Sequence, residues 1–291
     1  MLYRNHDQPV VAPPSVRRRR SRFAPRPGRR GFDDGVACRD LGLVMNPPSI
    51  RLDHVTLRRG GREVLRDLTG VFRPGSLTAV AGPNGAGKST LLHALCGLFP
   101  LASGRIDRGG LSPRSIALLP QEGRLDRSFP ITCRDVVALG WTARVGWFRR
   151  IGPEQYAVAD RALASVGLDG LGDRSIGALS AGQFQRSLFA RTIVRDAPVI
   201  LLDEPFSAID TATEADLMAI IHAWHQQGRT VIAVLHDLDL IRAEFPETLL
   251  LGAGAWQWGA SSDVLAARTI RQARLSATAP PPARVAVEEA A

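Results

Sequence analysis

The sequence predicts an α/β fold, a mostly parallel sheet flanked by helices, and three stretches carry that expectation. "SLTAVA" (76–81) reads as a short buried strand that runs into the glycine-rich "GPNGAGKST", and from there into the apolar helix pattern "STLLHALCGL" (89–98). "PVILLD" (198–203) and "VIAVL" (231–235) are apolar runs too short for helices and bounded by turn or charged residues. Continuous Val, Ile and Leu runs of this length suit strands buried on both faces, as a parallel sheet covered by helices requires.

In chain order, the first 49 residues stand apart. They hold ten arginines against four aspartates, and so most of the net charge of +9 carried by the 291 residues. "SVRRRRSRFAPRPGRRG" lacks periodic apolar residues and is expected to be disordered. It has no apolar segment after its arginines, which removes a twin-arginine signal. Met45 directly precedes "NPPSIRLDHVTL", where strand-like alternation begins. The expectation is that translation starts at Met45, with a functional basic arm at 1–44 as the alternative; the intact mass of the native protein separates them. Beyond residue 49, apolar and charged content are those of an ordinary globular domain, and no apolar run reaches the length of a membrane span. Cys38, Cys96 and Cys133 are too few and too scattered for a disulfide framework or a zinc cage, which suits a reducing cytosol.

Strand, loop and helix at 76–98 satisfy G-x-x-x-x-G-K-[ST] with Gly82, Gly87, Lys88 and Ser89. Through Pro83, Asn84, Gly85, Ala86 and Thr90 the loop can turn backbone N–H groups around a phosphate, and the helix N-terminus adds partial positive charge. Ser89 can offer its hydroxyl to Mg²⁺. Lys88 is the one lysine of the chain; all other basic side chains are arginine. A compact ammonium fits among backbone donors beside the phosphates, where a planar guanidinium does not. Downstream, "PVILLDEP" (198–205) ends a strand in two carboxylates. On a neighbouring strand, Asp203 would approach Mg²⁺ and Glu204 would polarise an attacking water.

"LSAGQFQRSLFAR" (179–191) lies between these motifs and resembles the signature sequence of the ATP-binding cassette (ABC) family, with Ala181 at the third place. The resemblance implies an ABC-type P-loop NTPase over about 50–270. Its parallel core is expected near 76–81, 115–119, 198–203 and 230–235, and its antiparallel β subdomain near 50–57, 63–72 and 104–107. A helical subdomain would occupy about 123–190, with helices at 132–141 and 152–167, and 271–291 would be a flexible tail. The cofactors implied are ATP and Mg²⁺. In this family the signature of one copy covers the ATP on the other, so Ser180, Gly182 and Gln183 are expected to act in trans in a head-to-tail homodimer. Gln121 of "LLPQEG" resembles the glutamine that senses Mg²⁺, "SAID" (207–210) the segment that crosses the dimer interface, and His236 of "VLHDLDL" the histidine at the γ-phosphate. The family commonly stacks an aromatic residue on adenine; here Arg59 of "TLRRGGR" holds that place, which implies weak preference for ATP over GTP.

Long coiled-coil insertions, zinc modules and a second cassette are all missing, which favours the ATPase subunit of a transporter with separate permease subunits. That places the protein peripherally at the cytoplasmic face of the membrane. Residues 124–150 and 224–251 are similar to ATPases of zinc and manganese importers served by periplasmic or extracellular binding proteins, the second stretch particularly to an alternative zinc importer. Zinc is the expected cargo, with manganese or an iron chelate as alternatives. Phe129, Trp141, Trp147 and Phe148 are candidates either for a groove that takes the permease's coupling helix or for plain subdomain core. His222 and His225 share a helix face but lack a third ligand, and so read as surface residues. A nucleic-acid-associated ATPase is the alternative from another class; it rests on the arginine-rich arm alone, and no nucleic-acid partner is expected.

Overall fold

The computed structural model describes residues 47–121, 126–142, 150–252 and 255–266, all within the unit Val36–Ala291. The arginine-rich arm, Met45 and the tail beyond 266 lie outside the described residues.

The antiparallel portion begins with β1 (Ile50–Arg59) and β2 (Arg62–Phe72), which form a hairpin. Its two-residue turn, Gly60-Gly61, needs positive φ at both positions, here 56° and 78°, and only glycine adopts them freely. β4 (Ser103–Asp107) pairs with the other edge of β1, giving the order β2-β1-β4. Along β1 the buried residues are Ile50, Leu52, Val55 and Leu57, so the inward parity switches between 52 and 55. A register shift there, with His54 at φ 50°, absorbs the extra residue and keeps every apolar side chain inside.

The second sheet has the order β5-β6-β7-β3-β8-β9. β5 (Ile116–Leu119), β6 (Val199–Asp203), β7 (Thr230–Val234), β3 (Leu77–Ala81) and β8 (Glu247–Leu251) are parallel, and β9 (Trp256–Ala260) closes the edge antiparallel to β8. β3, β6 and β7 are buried along their whole length, as their unbroken apolar sequences require.

Among the described residues, helices that cover this sheet and build the region beside it are α1 (Lys88–Leu95), α2 (Cys133–Ala138), α3 (Pro153–Ser165), α4 (Ala181–Arg195), α5 (Thr211–Gln226) and α6 (Leu238–Glu244), with the one-turn α7 (Ser261–Val264) after β9. One core cluster joins the sheet to α2–α6; the other packs α1 between the two sheets. Three helices end earlier than their apolar patterns. α1 stops at Leu95, before Gly97 at φ 72°, and α3 stops at Ser165, before Gly167 at φ 70°. α2 stops at Ala138 and continues as a 3₁₀ turn over Leu139–Trp141. There Gly140 sits so close to α4 that an added Cβ would lie 2.6 Å from the Arg191 carbonyl. Among the described residues no helix is long and apolar enough to cross a membrane.

Candidate nucleotide site

The glycine-rich loop leaves the C-terminal edge of β3 at the centre of the sheet, where a crevice outside the strand ends is available to a ligand. Gly82 is required by close approach: its φ is 142°, and a Cβ would stand 2.2 Å from the Leu251 carbonyl at the end of β8. Gly85 (φ 83°) and Gly87 (φ 91°) turn the chain into α1, whose N-terminus has no side-chain cap. Its first N–H groups therefore face the cavity as donors for an anion.

Lys88 is 6% exposed, and its ammonium donates to the carbonyls of Gly82 (2.8 Å) and Pro83 (3.0 Å). Burial lowers its pKa, while the nearby carboxylates of Glu204 and Asp203 pull the other way. Ser89 donates its hydroxyl to Asp203 Oδ1 at 2.9 Å, joining the start of α1 to the buried end of β6. The next residue, Glu204, has φ 53°, an uncommon conformation for a side chain of its kind. Its two carboxylate oxygens are both engaged: Gln121 Nε2 donates to Oε2 at 2.8 Å, and His236 Nε2 lies 2.8 Å from Oε1, a bond that needs the proton on Nε2. Three segments distant in sequence thus meet on one carboxylate.

These groups surround a cavity of about 560 Å³. Asn84, Gly85, Gly87, Lys88, Ser89 and Thr90 line it on the loop side, and Gln121, Glu204 and His236 line it too. Ala86 is buried in the adjoining core, and Pro83 serves through its carbonyl. Arg59 also lines the cavity, together with Arg62 and Val64, which the sequence reading did not single out. The legible signal was the Gly-Gly turn, because a two-residue hairpin sets Arg62 directly opposite Arg59.

The oxygen donors Ser89 Oγ, the Asp203 carboxylate and the Gln121 side-chain carbonyl suit a hard cation such as Mg²⁺, which binds through one or two carboxylates and substrate phosphates. Among the described residues no three His, Cys, Asp or Glu side chains gather as a protein-only metal cage, so such an ion depends on those mixed donors.

The signature residues lie elsewhere. Ser180 caps α4 by accepting from Gln183 N (3.2 Å) while Gln183 Oε1 accepts from Ser180 N (2.9 Å). Neither they nor Gly182 line the cavity. Of the aromatic candidates, Phe129 is 63% exposed and Trp141 packs partly buried against the core; Trp147 and Phe148 lie outside the described residues. His222 is engaged by Glu244 Oε2 at 2.7 Å.

Comparison with known proteins finds similarity over most of the chain. A family model described as ABC transporter matches residues 65–207. The zinc transport system ATP-binding protein TroB of Treponema pallidum is 37% identical over 237 residues, covering 79% of this chain and 89% of that protein. The manganese transport system ATP-binding protein MntB of Bacillus subtilis is 35% identical, covering 77% of this chain and 91% of the relative. Among solved structures, a metal-chelate type ABC transporter in an inward-facing conformation superposes with a TM-score of 0.70 at 28% identity, over 78% of this chain and 89% of that one.

Proposed function

The chain belongs to the ATP-binding proteins of the ABC transporter family, and from that premise we propose that it is the ATPase subunit energising a metal-ion importer, with zinc as cargo. It is an ATP-hydrolysing enzyme of the cassette type. The observation that carries the mechanistic reading is the convergence of Gln121 and His236 on Glu204, beside the loop that holds Lys88.

On this reading the backbone donors of Gly85–Thr90 hold the β- and γ-phosphates of ATP, and Lys88 turns from the Gly82 and Pro83 carbonyls towards them. Ser89, Asp203 and Gln121 would hold Mg²⁺, which supplies neutralising charge at the phosphates when bound. Glu204 orients the attacking water and accepts its proton once Gln121 and His236 have released the carboxylate; His236 then donates to the γ-phosphate. The guanidinium of Arg59 stacks on the base. Ser180, Gly182 and Gln183 complete the site of a second copy in a head-to-tail dimer. Residues 50–270 form the ATP-binding domain, and its helical subdomain, with exposed Phe129, docks the permease at the cytoplasmic face of the membrane. A binding protein outside the membrane delivers the metal.

Zinc is supported by the 37% identity to TroB and by the resemblance of residues 224–251 to the ATPase of an alternative zinc importer, whereas residues 124–150 resemble zinc and manganese importer ATPases alike. Manganese is the second reading, supported by MntB at 35%. The test is ATP hydrolysis by the subunit reconstituted with its permease in liposomes, with binding protein loaded with Zn²⁺ or Mn²⁺. Stimulation by the zinc form alone is expected. Manganese-selective stimulation would transfer the cargo assignment, and no stimulation by either would remove the importer reading.

A further inference from the structure

Gln185 lies in the first turns of α4, two residues after Gln183, and is wholly buried. Its amide nitrogen donates to the carbonyls of Pro205 (3.1 Å) and Glu204 (3.5 Å). Two carbonyls on one side fix the orientation of the amide, because only the NH₂ end can face them. The opposite end, Oε1, is buried with no hydrogen-bond partner among the described residues. The unsatisfied acceptor costs stability, and the bonds made by the nitrogen end offset that cost by satisfying the Pro205 and Glu204 carbonyls. What the nitrogen end holds is the backbone on either side of the Glu204–Pro205 bond.

Glu204 stands at φ 53°, a conformation that persists only where surrounding contacts over-determine it. Its N–H donates to the Val234 carbonyl (3.2 Å), and its own carbonyl accepts from Ser207 N (3.2 Å) and Ser207 Oγ (3.1 Å). Gln185 is the contact to this peptide that comes from the signature helix. A few residues on, the first turn of α4 packs closely again: a Cβ on Gly182 would lie 2.9 Å from the Ala208 carbonyl. The helix whose capped end is read by the other copy's nucleotide thus grips the peptide that aims this copy's own carboxylate.

We propose that Gln185 is a positioning residue that couples the two nucleotide sites of the dimer, passing the docking state of the signature helix to the backbone of Glu204. The proposal rests on the head-to-tail dimer reading. A shift of α4 upon engagement by the partner's ATP pulls on the Glu204–Pro205 peptide through the amide, and so turns the carboxylate between its Gln121–His236 bonds and the water it activates. Coupling of this kind is an energy shared between sites, and it shows as cooperativity.

The test compares the wild-type chain with Gln185→Met, which conserves volume and removes both the bond and the unsatisfied acceptor. Three readouts are needed: thermal midpoint, ATP-driven dimerisation by sedimentation in a Glu204→Gln background, and the ATP dependence of hydrolysis. The expected result is a midpoint lowered by no more than the few degrees that one orphaned carbonyl costs, and an intact dimer. With these, kcat falls about tenfold at nearly constant KM, and the Hill coefficient for ATP, expected to exceed one in the wild-type chain, falls to one. A lower midpoint with unchanged kcat and cooperativity would make Gln185 a packing residue and overturn the proposal. A dimer that forms while kcat and cooperativity stay at wild-type values would overturn it and leave the dimer reading intact. Failure of both proteins to dimerise with ATP would overturn both together.

Discussion

Lys88 sits where residue identity is least negotiable. Its ammonium lies between the Gly82 and Pro83 carbonyls in a pocket that leaves 6% of the residue exposed. A guanidinium there must displace the loop or leave donors unpaired. Lys88→Arg is expected to reduce hydrolysis by about 10²–10³-fold with the fold retained, read as turnover and as the thermal midpoint; near-normal turnover would sink the assignment. At this scale the sequence was informative wherever a residue type is dictated by local chemistry, as at Gly82, Lys88, Asp203 and Glu204. It was silent on residues whose role depends on what lies across the fold. Arg62 and Val64 reach the cavity through a hairpin register, and Gln185 reaches the Glu204 peptide through helix packing, which no spacing rule announces.

Elements show the same division. β1 was legible from alternation and β3, β6 and β7 from unbroken apolar runs; β2, β4 and β5 were expected only through the resemblance, and β8 and β9 were not expected at all. "ETLLL" is a short run that begins with a charged residue, and "WQWGA" contains no β-branched residue. What makes β9 a strand is tertiary: it hydrogen-bonds along β8 and sets Trp258 against Phe72, ring centroids 4.4 Å apart, with Gly70 leaving room for the indole. Trp258 therefore clamps the edge of one sheet to the other. Trp258→Ala is expected to cost about 2–4 kcal/mol in urea unfolding, because it opens a cavity beneath a half-buried ring. Turnover per folded molecule should stay near wild type. A loss under about 0.5 kcal/mol, the usual range for a surface change, would show that the two sheets do not depend on this contact.

For the whole molecule, the proposed mechanism has the nucleotide bring two copies together, and it is compatible with signature residues that line no part of their own cavity. Glu204→Gln keeps the shape of the side chain but removes the base. It is expected to bind ATP, to lower hydrolysis by about 10²–10⁴-fold and to accumulate as an ATP-bound dimer in sedimentation; a variant that still turns over would displace Glu204 as the base. This level of organisation is an expectation that rests on resemblance alone, because neither composition nor periodicity bears on a site shared between copies.

The order in which strands lie beside the phosphate loop also bears on how the molecule is made. β3, from which the loop springs, is flanked by β7 and β8, and the floor beneath Gly82 is the carbonyl of Leu251. A ribosome delivers the loop early and its walls last, and such long-range pairing is slow to form. During most of its synthesis the chain carries an apolar strand with neither neighbour yet available. The emerging polypeptide is then a natural client for chaperones, and nucleotide can begin to guard the fold only after the C-terminal hairpin has cleared the exit tunnel.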